Sequence, residues 1–392
     1  MARAERALRF TRVRLTNWRN FRSAEMSLRS RAFLVGPNAS GKSNLLDALR
    51  FLRDISKPTG GLANALTEFG RNGISGVRSL HARSPSHVEF SVDIGTNEAP
   101  AIWTYILRIQ RFGREKDATV AFEEVRFHGE QKAHQERTAH ADDPLLFSQT
   151  LVEQVQRNSD FRELVEFFAS IRYLHVVPQI VRDGRRALAA GDDPFGGDLL
   201  RRMKDMPKKT REPRLKRIGA AVSAALPGFE KLELRDDADG RPHLFADYKH
   251  WRNSAAKQTE EVFSDGTLRL IGFLWAVSER GGPLLLEEPE LSLHESVVAQ
   301  LPAMIARSQS LSGRQVICTT HSESMLSADG VRLDEVHRII VGDNGSTIEL
   351  AAANAKVSAQ VREAGWTIGQ ALLPLTQPSG VNELGALDIL GR

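Results

Sequence analysis

The chain has 392 residues, of which 41% are hydrophobic and 26% charged, and this balance excludes a disordered or fibrous protein. A single cysteine, Cys318, excludes an internal disulfide and a zinc site built on cysteine pairs, and it favours a reducing cytoplasm. The longest nearly unbroken apolar run, Leu268 to Val277, is too short to cross a membrane, and no secretory leader precedes the first predicted strand. We therefore expect a cytoplasmic protein that does not enter a membrane.

The net charge of +4 is unevenly distributed along the chain. Residues 1–60 carry 13 Lys or Arg against 4 Asp or Glu, and the segment from Arg201 to Arg217 carries nine basic residues against two acidic ones. From Gly281 to the C-terminus the charges sum to about −6. The basic segments are candidates for contact with double-stranded DNA or another nucleic acid, and a well-solvated arginine-rich surface explains them equally well.

The first third of the chain has strand patterns around one helix. Alternation from Leu8 to Leu15 and a short apolar run over Arg31–Val35 predict strands, and a helical pattern follows from Lys42 to about Ile55. Three alternating segments between Ser86 and His128 are separated by turn residues. They predict an antiparallel sheet layer.

Helical spacing dominates the middle of the chain, and strands alternate with helices in the last third. Helical spacing over residues 144–169 and 198–225, with a strand near 171–177 between them, predicts a helical insertion. Further strands are predicted at 230–235, 243–248, 283–286 and 315–319, with helices opened by Ser264, near 295–308 and over 361–373. This order predicts a parallel α/β core and three segments: an N-terminal lobe (1–140), the insertion (141–228) and a C-terminal lobe (229–392).

Residues 36–43, Gly-Pro-Asn-Ala-Ser-Gly-Lys-Ser, fit the pattern G-x-x-x-x-G-K-[ST] between a predicted strand and a predicted helix. Glycines let successive N–H groups point at phosphate oxygens, Lys42 reaches the β- and γ-phosphates, and the Ser43 hydroxyl binds Mg²⁺. A glycine turn that happens to precede a lysine is the alternative. The predicted phosphate-binding residues are Gly36, Asn38, Ala39, Ser40, Gly41, Lys42, Ser43 and Asn44.

Two later predicted strands are followed by side chains that can bind a metal or act in catalysis. The apolar strand Leu284–Leu286 runs into Glu287 and Glu288, of which Glu287 would face the metal and Glu288 would polarise the water that attacks the γ-phosphate. His321 follows the strand 315–319, at the sheet edge where open α/β proteins bind ligands. Taken singly, the acidic pair also fits a solvated loop, and His321 also fits an ordinary surface histidine.

The segment Ser264-Asp265-Gly266-Thr267 places an N-cap and a glycine before an apolar helix, which by itself is an ordinary helix start. The order of phosphate loop, Ser-x-Gly turn, acidic strand end and strand-end histidine, however, resembles the ATP-binding-cassette (ABC) ATPases. Within these ATPases, it most resembles the SMC, RecF and OLD-like group. This group includes short bacterial ATPases that are often found in phage-defence operons. The segment 15–22, Leu-Thr-Asn-Trp-Arg-Asn-Phe-Arg, is similar to the Asn-Phe-(Arg/Lys) segment that these proteins carry before the phosphate loop.

The resemblance implies an α/β fold: an ABC ATPase core with a parallel sheet and an antiparallel layer, plus a helical insertion. It implies ATP and Mg²⁺ as ligands, Glu288 as the catalytic glutamate and His321 as the switch histidine. It further implies that Gln179 senses Mg²⁺ and that Ser264 and Gly266 contact ATP bound to a second copy, so that a homodimer encloses two ATP molecules.

The sequence departs from the family pattern at two places. Glu287 stands where the family usually has aspartate, so the extra methylene could shift the metal and slow hydrolysis. The signature reads Ser-Asp-Gly-Thr rather than Ser-Gly-Gly, and the long insertion between Ser43 and Ser264 argues against a transporter subunit.

Three functions follow from the resemblance. The first is an ATP-driven switch that acts on nucleic acid or on a separate effector protein such as a nuclease, in phage defence. The second is a RecF-like DNA-repair mediator, and the third is an ATP-bound scaffold with little turnover. Fewer than 75 residues follow His321, without an Asp-x-Asp element, so we expect no nuclease in this chain.

Overall fold

The structure is a computed structural model that describes residues 7–84, 86–111, 118–137, 144–183, 192–249, 256–378, 380–381 and 383. Its strands are β1 (Arg9–Trp18), β2 (Phe21–Ser27), β3 (Arg31–Val35), β4 (Val88–Gly95), β5 (Trp103–Gln110), β6 (Thr119–Phe127), β7 (Glu130–Glu136), β8 (Arg172–Leu174), β9 (Phe229–Asp236), β10 (Pro242–Tyr248), β11 (Ala256–Thr259), β12 (Leu284–Glu287), β13 (Val316–Thr319), β14 (Val336–Ile340) and β15 (Thr347–Leu350).

The α-helices of the described residues are α1 (Lys42–Ser56), α2 (Leu62–Thr67), α3 (Gly73–Val77), α4 (Arg162–Ala169), α5 (Pro178–Val181), α6 (Leu199–Asp205), α7 (Lys208–Ala225), α8 (Asp265–Ser278), α9 (Glu295–Val298), α10 (Leu301–Ser312), α11 (Glu323–Leu326), α12 (Ala355–Arg362) and α13 (Ile368–Leu372). Short 3₁₀ helices are formed by Glu68–Gly70, Pro144–Phe147, Ser159–Phe161, Leu333–Glu335, Ala351–Ala353 and Leu373–Thr376. Throughout these ranges, no helix combines the length and the apolar character needed to cross a membrane.

The central sheet has six strands in the order β15-β14-β3-β13-β12-β8, all parallel except β15. Every residue of β3 and β13 is buried, which is why these strands are nearly continuous apolar runs in the sequence. In the register of the sheet, Glu287 pairs with Thr319, and Thr319 pairs with Leu34. The carboxyl ends of β12, β13 and β3 therefore lie side by side, and the segments that follow them share one edge.

A second six-stranded sheet, β2-β1-β4-β5-β6-β7, is antiparallel throughout and confirms the predicted antiparallel layer. It packs on helix α1 through three aromatic side chains, Trp18, Phe51 and Phe90, whose ring centroids lie 5.0–5.5 Å apart. Buried aromatic pairs at this spacing are favourable contacts. This packing attaches the antiparallel layer to the helix that begins at the phosphate loop.

A smaller antiparallel sheet, β11-β10-β9, packs with α7 and α8 around a second hydrophobic core that includes Trp275. Residues 299–300 interrupt the single helix expected near 295–308, and Pro302 lies in the first turn of α10. The helix expected over 361–373 is also divided, because Gly365 has a positive φ between α12 and α13. Between 144 and 169 the α-helix covers only Arg162–Ala169.

Candidate functional site

The phosphate loop lies between β3 and α1, and its two framing glycines are required by close contacts. A Cβ atom at Gly36 would lie 2.8 Å from the carbonyl oxygen of Ile339. Gly41, the N-cap of α1, has φ +108, and a Cβ there would lie 3.1 Å from the ring of Phe21. The glycines of the motif therefore serve both the loop conformation and its packing.

Lys42, the first residue of α1, folds back over this loop. Its Nζ donates hydrogen bonds to the carbonyl oxygens of Gly36 and Pro37, each at 3.0 Å. Burial lowers the pKa of Lys42, whereas the carboxylates of Glu288 and Glu287 act in the opposite direction. The ammonium group is thus held beside the loop amides, where a phosphate would be bound.

The segment that precedes the phosphate loop supports it from the side. Asn20 Nδ2 donates to the backbone carbonyl oxygen of Ala39 at 3.0 Å, and the Asn20 side chain also contacts the side chain of Asn44. The backbone carbonyl oxygen of Asn44 accepts a hydrogen bond from Trp18 Nε1 at 2.7 Å. Ser346 Oγ donates to the carbonyl oxygen of Ser40 at 2.7 Å. The loop faces a cleft of about 410 Å³ lined by Asn20, Asn38, Ala39, Gly41, Lys42, Ser43, Asn44 and Glu288.

Glu287 and Ser43 form the candidate metal site. The Ser43 hydroxyl donates to Glu287 Oε1, and the Tyr173 hydroxyl donates to Oε2 of the same carboxylate. Burial raises the pKa of Tyr173 well above its ordinary value, so Tyr173 keeps its proton and remains a donor. A hydroxyl and a carboxylate in contact fit Mg²⁺, which prefers oxygen ligands. Among the described residues, no group of three His, Cys, Asp or Glu forms a fuller metal site.

Glu288 follows β12 in a left-handed backbone conformation, with φ +43. Its N–H donates to Thr319 Oγ1 at 3.1 Å, and its Oε1 lies 3.3 Å from His321 Nε2. The hydrogen bond with His321 lowers the pKa of Glu288, although partial burial acts against it. The two predicted catalytic side chains therefore lie in direct contact, and Glu288 also lines the cleft.

A third carboxylate, Glu290, supports the histidine segment and was not predicted. Its Oε1 accepts from the Thr320 hydroxyl at 2.6 Å and from the N–H of His321 at 2.9 Å. Its other oxygen is buried without a hydrogen-bond partner in the described structure, and burial raises its pKa. The signal that could have identified Glu290 is its position as the third acid of Glu-Glu-Pro-Glu, next to the strand end.

The predicted signature turn does not line this cleft. Ser264 caps α8 by accepting from the N–H of Thr267 at 3.2 Å, and a Cβ at Gly266 would lie 2.5 Å from the carbonyl oxygen of Ser292. Gln179 Nε2 lies 3.5 Å from Asp265 Oδ2, so it neighbours the signature turn. The roles of Ser264, Gly266 and Gln179 toward ATP or Mg²⁺ therefore stay predictions.

Many of the arginines in the basic N-terminal segment have internal partners. Arg12 and Arg14 pair with Glu25 or Asp93, Arg19 with Asp47, and Arg31 with Glu335. Arg50 and Arg53 pair with aspartates on their own helix. Internal ion pairs therefore neutralise much of the positive charge of the N-terminal segment, and this weakens the case that the segment forms a nucleic-acid surface.

Comparisons with known proteins identify a family and a shared fold. Residues 31–327 match the family described as "AAA domain, putative AbiEii toxin, Type IV TA system". No curated protein matches the chain. Among solved structures, the SMC head bound to the C-winged helix domain of ScpA matches with a TM-score of 0.51 and 14% identity, covering 87% of this chain and 96% of that one.

An SMC head with an extended coiled coil bound to the C-terminal domain of ScpA, from Pyrococcus furiosus, matches with a TM-score of 0.50 and 14% identity. That match covers 91% of this chain and 100% of the other. At this identity, the two structures show a shared fold, which confirms the predicted α/β fold class, and together with the family match they support the resemblance to ABC-type ATPases such as SMC heads. The chain belongs to the AAA_21 family and has the fold of an ABC-type SMC head.

Proposed function

We propose that this protein binds ATP with Mg²⁺ in the phosphate-loop cleft and hydrolyses it. The observation that carries the proposal is the contact between the Ser43 hydroxyl and Glu287, which are 244 positions apart, beside the Glu288–His321 pair. The contact joins the phosphate loop to the acidic strand end. A phosphate site and a carboxylate base then share one cleft, and Glu287, the second oxygen ligand for a metal, contacts Ser43 of that cleft.

Each side chain has a defined task in this proposal. Lys42 and the loop amides bind the phosphates, while Ser43 and Glu287 would hold Mg²⁺, which neutralises charge that develops on the phosphoryl oxygens. Glu288, with its pKa lowered, is ionised at neutral pH and can accept the proton of the attacking water. His321 orients the Glu288 carboxylate, and Glu290 holds the backbone of His321 in place.

The signature turn suggests that hydrolysis requires two copies. Ser264 and Gly266 do not line the cleft of their own chain, so we propose that they contact ATP bound to a second copy. A homodimer closed by two ATP molecules would then open after hydrolysis, since ligand binding can shift an equilibrium only through its preference for one state. The extra methylene of Glu287 would slow turnover and favour the alternative of an ATP-bound scaffold.

We further propose that this cycle acts on a separate effector, such as a nuclease, in phage defence within a reducing cytoplasm. The family description and the ScpA-bound heads support coupling to another protein. A RecF-like mediator acting on double-stranded DNA is the alternative. The exposed basic side chains Lys209, Lys216 and Arg217 support it, whereas the N-terminal arginines do not.

The test is light-scattering mass together with ATP turnover, with and without duplex DNA, for the wild type, Lys42→Ala and Glu288→Gln. Exposed residues supply matched controls, Lys356→Ala and Glu98→Gln. We expect Glu288→Gln to lower turnover by about 10²–10⁴-fold and to accumulate an ATP-dependent dimer. Lys42→Ala should neither dimerise nor hydrolyse ATP.

Each outcome separates the candidate functions. Turnover stimulated by DNA alone, with a steep salt dependence, would favour the repair mediator over the effector-coupled switch. A stable ATP dimer with little turnover in the wild type would favour the scaffold. If Glu288→Gln hydrolyses ATP like Glu98→Gln, the proposed base is wrong, and if the wild type does not bind ATP, the whole proposal is wrong.

A further inference from the structure

A groove of about 920 Å³ lies away from the nucleotide cleft, where β8 and β12 begin. Helices α7, α8 and α10 form its walls, and Arg172, the first residue of β8, lies within it. The phosphate loop and Glu288 instead follow the carboxyl ends of their strands. The groove and the cleft are therefore at opposite edges of the central sheet.

The floor of this groove is apolar. Ile218, Leu274 and Val277 are buried beneath it, whereas Leu311 at its rim is 80% exposed. Met206 and Met304 also contribute flexible, polarizable side chains, which adapt to varied binding partners. An exposed leucine next to two methionines and a buried apolar floor is the composition of a surface that another molecule covers.

Arginines dominate the charge of the groove. Arg214, Arg217, Arg280 and Arg307 line it, and within the described chain none of the four forms an ion pair. Glu279 is the one acidic side chain in the described lining, and it is already used, because it accepts from Trp275 Nε1 at 2.8 Å and pairs with Arg202. The groove therefore presents positive charge that the fold does not neutralise.

Arg214 is the clearest sign of a missing partner. The residue is only 8% exposed, and its guanidinium lies over the ring of Trp275 at 4.9 Å. Nevertheless, its Nε and Nη1 have no hydrogen-bond acceptor among the described residues. Burial lowers the pKa of Arg214, and although Glu279 raises it, Arg217 and Arg280 lower it further. Buried donors without acceptors cost free energy, so this guanidinium keeps hydrogen-bonding capacity that the described fold leaves unused.

We propose that this groove binds an acidic, amphipathic segment of a partner protein. The apolar side chains of the segment would cover the floor between α7 and α10, and its carboxylates would pair with Arg214, Arg217, Arg280 and Arg307. Nucleic-acid phosphates would match the arginines but leave Leu311 and the methionines uncovered. The proposal is independent of the proposed ATPase function, because no residue of the nucleotide cleft lines the groove.

The test is fluorescence anisotropy with a labelled helical peptide of about 18 residues that carries Leu at i, i+3, i+4 and i+7 and Glu on its other face. One matched peptide replaces Glu by Gln, another replaces Leu by Ser, and a labelled DNA duplex of about 20 base pairs is the nucleic-acid probe. The variants are Arg217→Glu/Arg280→Glu and Leu311→Asp, all at exposed positions. The matched control is Arg83→Glu/Arg157→Glu, at exposed arginines outside the groove.

We expect the wild type to prefer the Leu/Glu peptide over both substituted peptides. The double reversal in the groove should weaken its binding by about tenfold or more, because each reversal replaces attraction by repulsion, and the control reversal by less than about twofold. Leu311→Asp should also weaken binding, because it removes the apolar contact at the rim of the groove. Circular dichroism and ATP turnover should stay at wild-type values, which separates a lost groove from a lost fold or cleft.

Three results would overturn the proposal. The first is that the Leu/Glu peptide does not bind. The second is that the Ser-substituted peptide binds equally well, which would mean that the apolar floor is not used. The third is that the DNA duplex binds more tightly than the peptide and loses affinity in the groove variant, which would assign the arginines to nucleic acid.

Discussion

The carboxylates buried beneath the phosphate loop are paired with arginines, whereas Glu123, which is fully buried in the antiparallel sheet, accepts hydrogen bonds from neutral groups. Asp47 and Asp54, on α1, each lie 2.8 Å from a different guanidinium nitrogen of the fully buried Arg71. Arg50 and Arg19 also pair with Asp47, at 2.6 and 3.0 Å. We call these five residues the ionic cluster.

Glu123 lies in β6, in the antiparallel sheet, and is equally buried. It accepts hydrogen bonds from the Tyr105 hydroxyl at 2.9 Å, from Gln135 Nε2 at 2.6 Å and from the N–H of Leu151 at 2.7 Å. Burial raises the pKa of Glu123 to about 7, and the three donors only partly offset that rise. We call Glu123 and its three donors, Tyr105, Gln135 and Leu151, the neutral cluster. None of these donors carries a positive charge that would keep the carboxylate ionised.

The difference shows what arginines contribute. Burial alone would raise the pKa of Asp47, but Arg71, Arg50 and Arg19 overcome it and lower the pKa, so Asp47 stays ionised. The ionic cluster also reaches the candidate site, because the Arg50 guanidinium lies 4.8 Å from the ring centre of Tyr173, which holds Glu287. Among the described residues, the neutral cluster makes no such contact with the candidate site, so we expect it to affect stability alone.

Removing the central arginine of the ionic cluster should have the largest effect. Arg71→Met would leave Asp47 and Asp54 buried without their shared partner, and we expect the free energy of unfolding to fall by about 3–5 kcal/mol. Urea unfolding of the variant against wild type measures it, with Arg157→Met as the control at an exposed arginine. A loss below about 1 kcal/mol would contradict the view that Arg71 holds this cluster together.

The neutral cluster should make stability depend on pH. The pKa of Glu123 is about 7 in the folded protein against an ordinary value of 4.5, so the folded protein binds this proton more tightly than the unfolded chain. The stability that it contributes is complete below pH 4.5 and is lost as the pH rises through 7. We expect the wild type to lose about 3 kcal/mol over this range relative to Glu123→Gln, measured by unfolding at several pH values.

In Glu123→Gln, the amide oxygen can accept from Leu151 and Gln135 while its NH₂ group donates to Tyr105. The variant therefore isolates the titration without removing the hydrogen bonds. Glu98→Gln, at an exposed turn, is the control and should keep the pH dependence of the wild type. Identical pH profiles for the wild type and Glu123→Gln would show that Glu123 is not protonated in this range.

A smaller and more specific effect is expected at Tyr173. Tyr173→Phe removes the hydroxyl that donates to Glu287 and leaves the ring on Arg50. We expect the Mg²⁺ concentration for half-maximal ATP turnover to rise about tenfold, because groups that orient a metal ligand change metal affinity by that order. Tyr105→Phe alters the neutral cluster instead and should leave the Mg²⁺ dependence unchanged. Equal shifts in both variants would argue against a positioning role for Tyr173.

The smallest effect is expected at Arg50. Arg50→Lys keeps the charge beside Asp47 but weakens the stacking on Tyr173 and on Phe69, whose ring centre lies 4.2 Å away. We expect a loss of about 0.5–1 kcal/mol in the free energy of unfolding, the usual size of such cation–π contacts. If Arg50→Lys lowered the free energy of unfolding as much as Arg71→Met, Arg50 would contribute as much as Arg71 to the stability of the ionic cluster.

Local patterns predicted much of the fold. The strands Arg31–Val35, Leu284–Glu287 and Val316–Thr319 are short, mostly apolar runs because nearly all of their residues are buried. Strands β2, β7, β11, β14 and β15 were missed, since polar or charged residues in each interrupt the apolar pattern. The breaks near Pro302 and Gly365 were also missed, because apolar spacing continues across them.

The sequence by itself determined the phosphate loop, the acidic strand end and His321, because their chemistry depends on residues adjacent in the chain or just after a strand. Only the tertiary structure revealed that Tyr173 and Glu290 support the candidate site. It alone also revealed the groove between α7 and α10, where four arginines lack an ion-pair partner among the described residues. The partners of Tyr173 and Glu290 lie tens to hundreds of positions away, and a contact of that kind is created by the sheet register and helix packing. Burial, which decides whether a charge is neutralised or left for a partner, likewise arises only when the chain is folded.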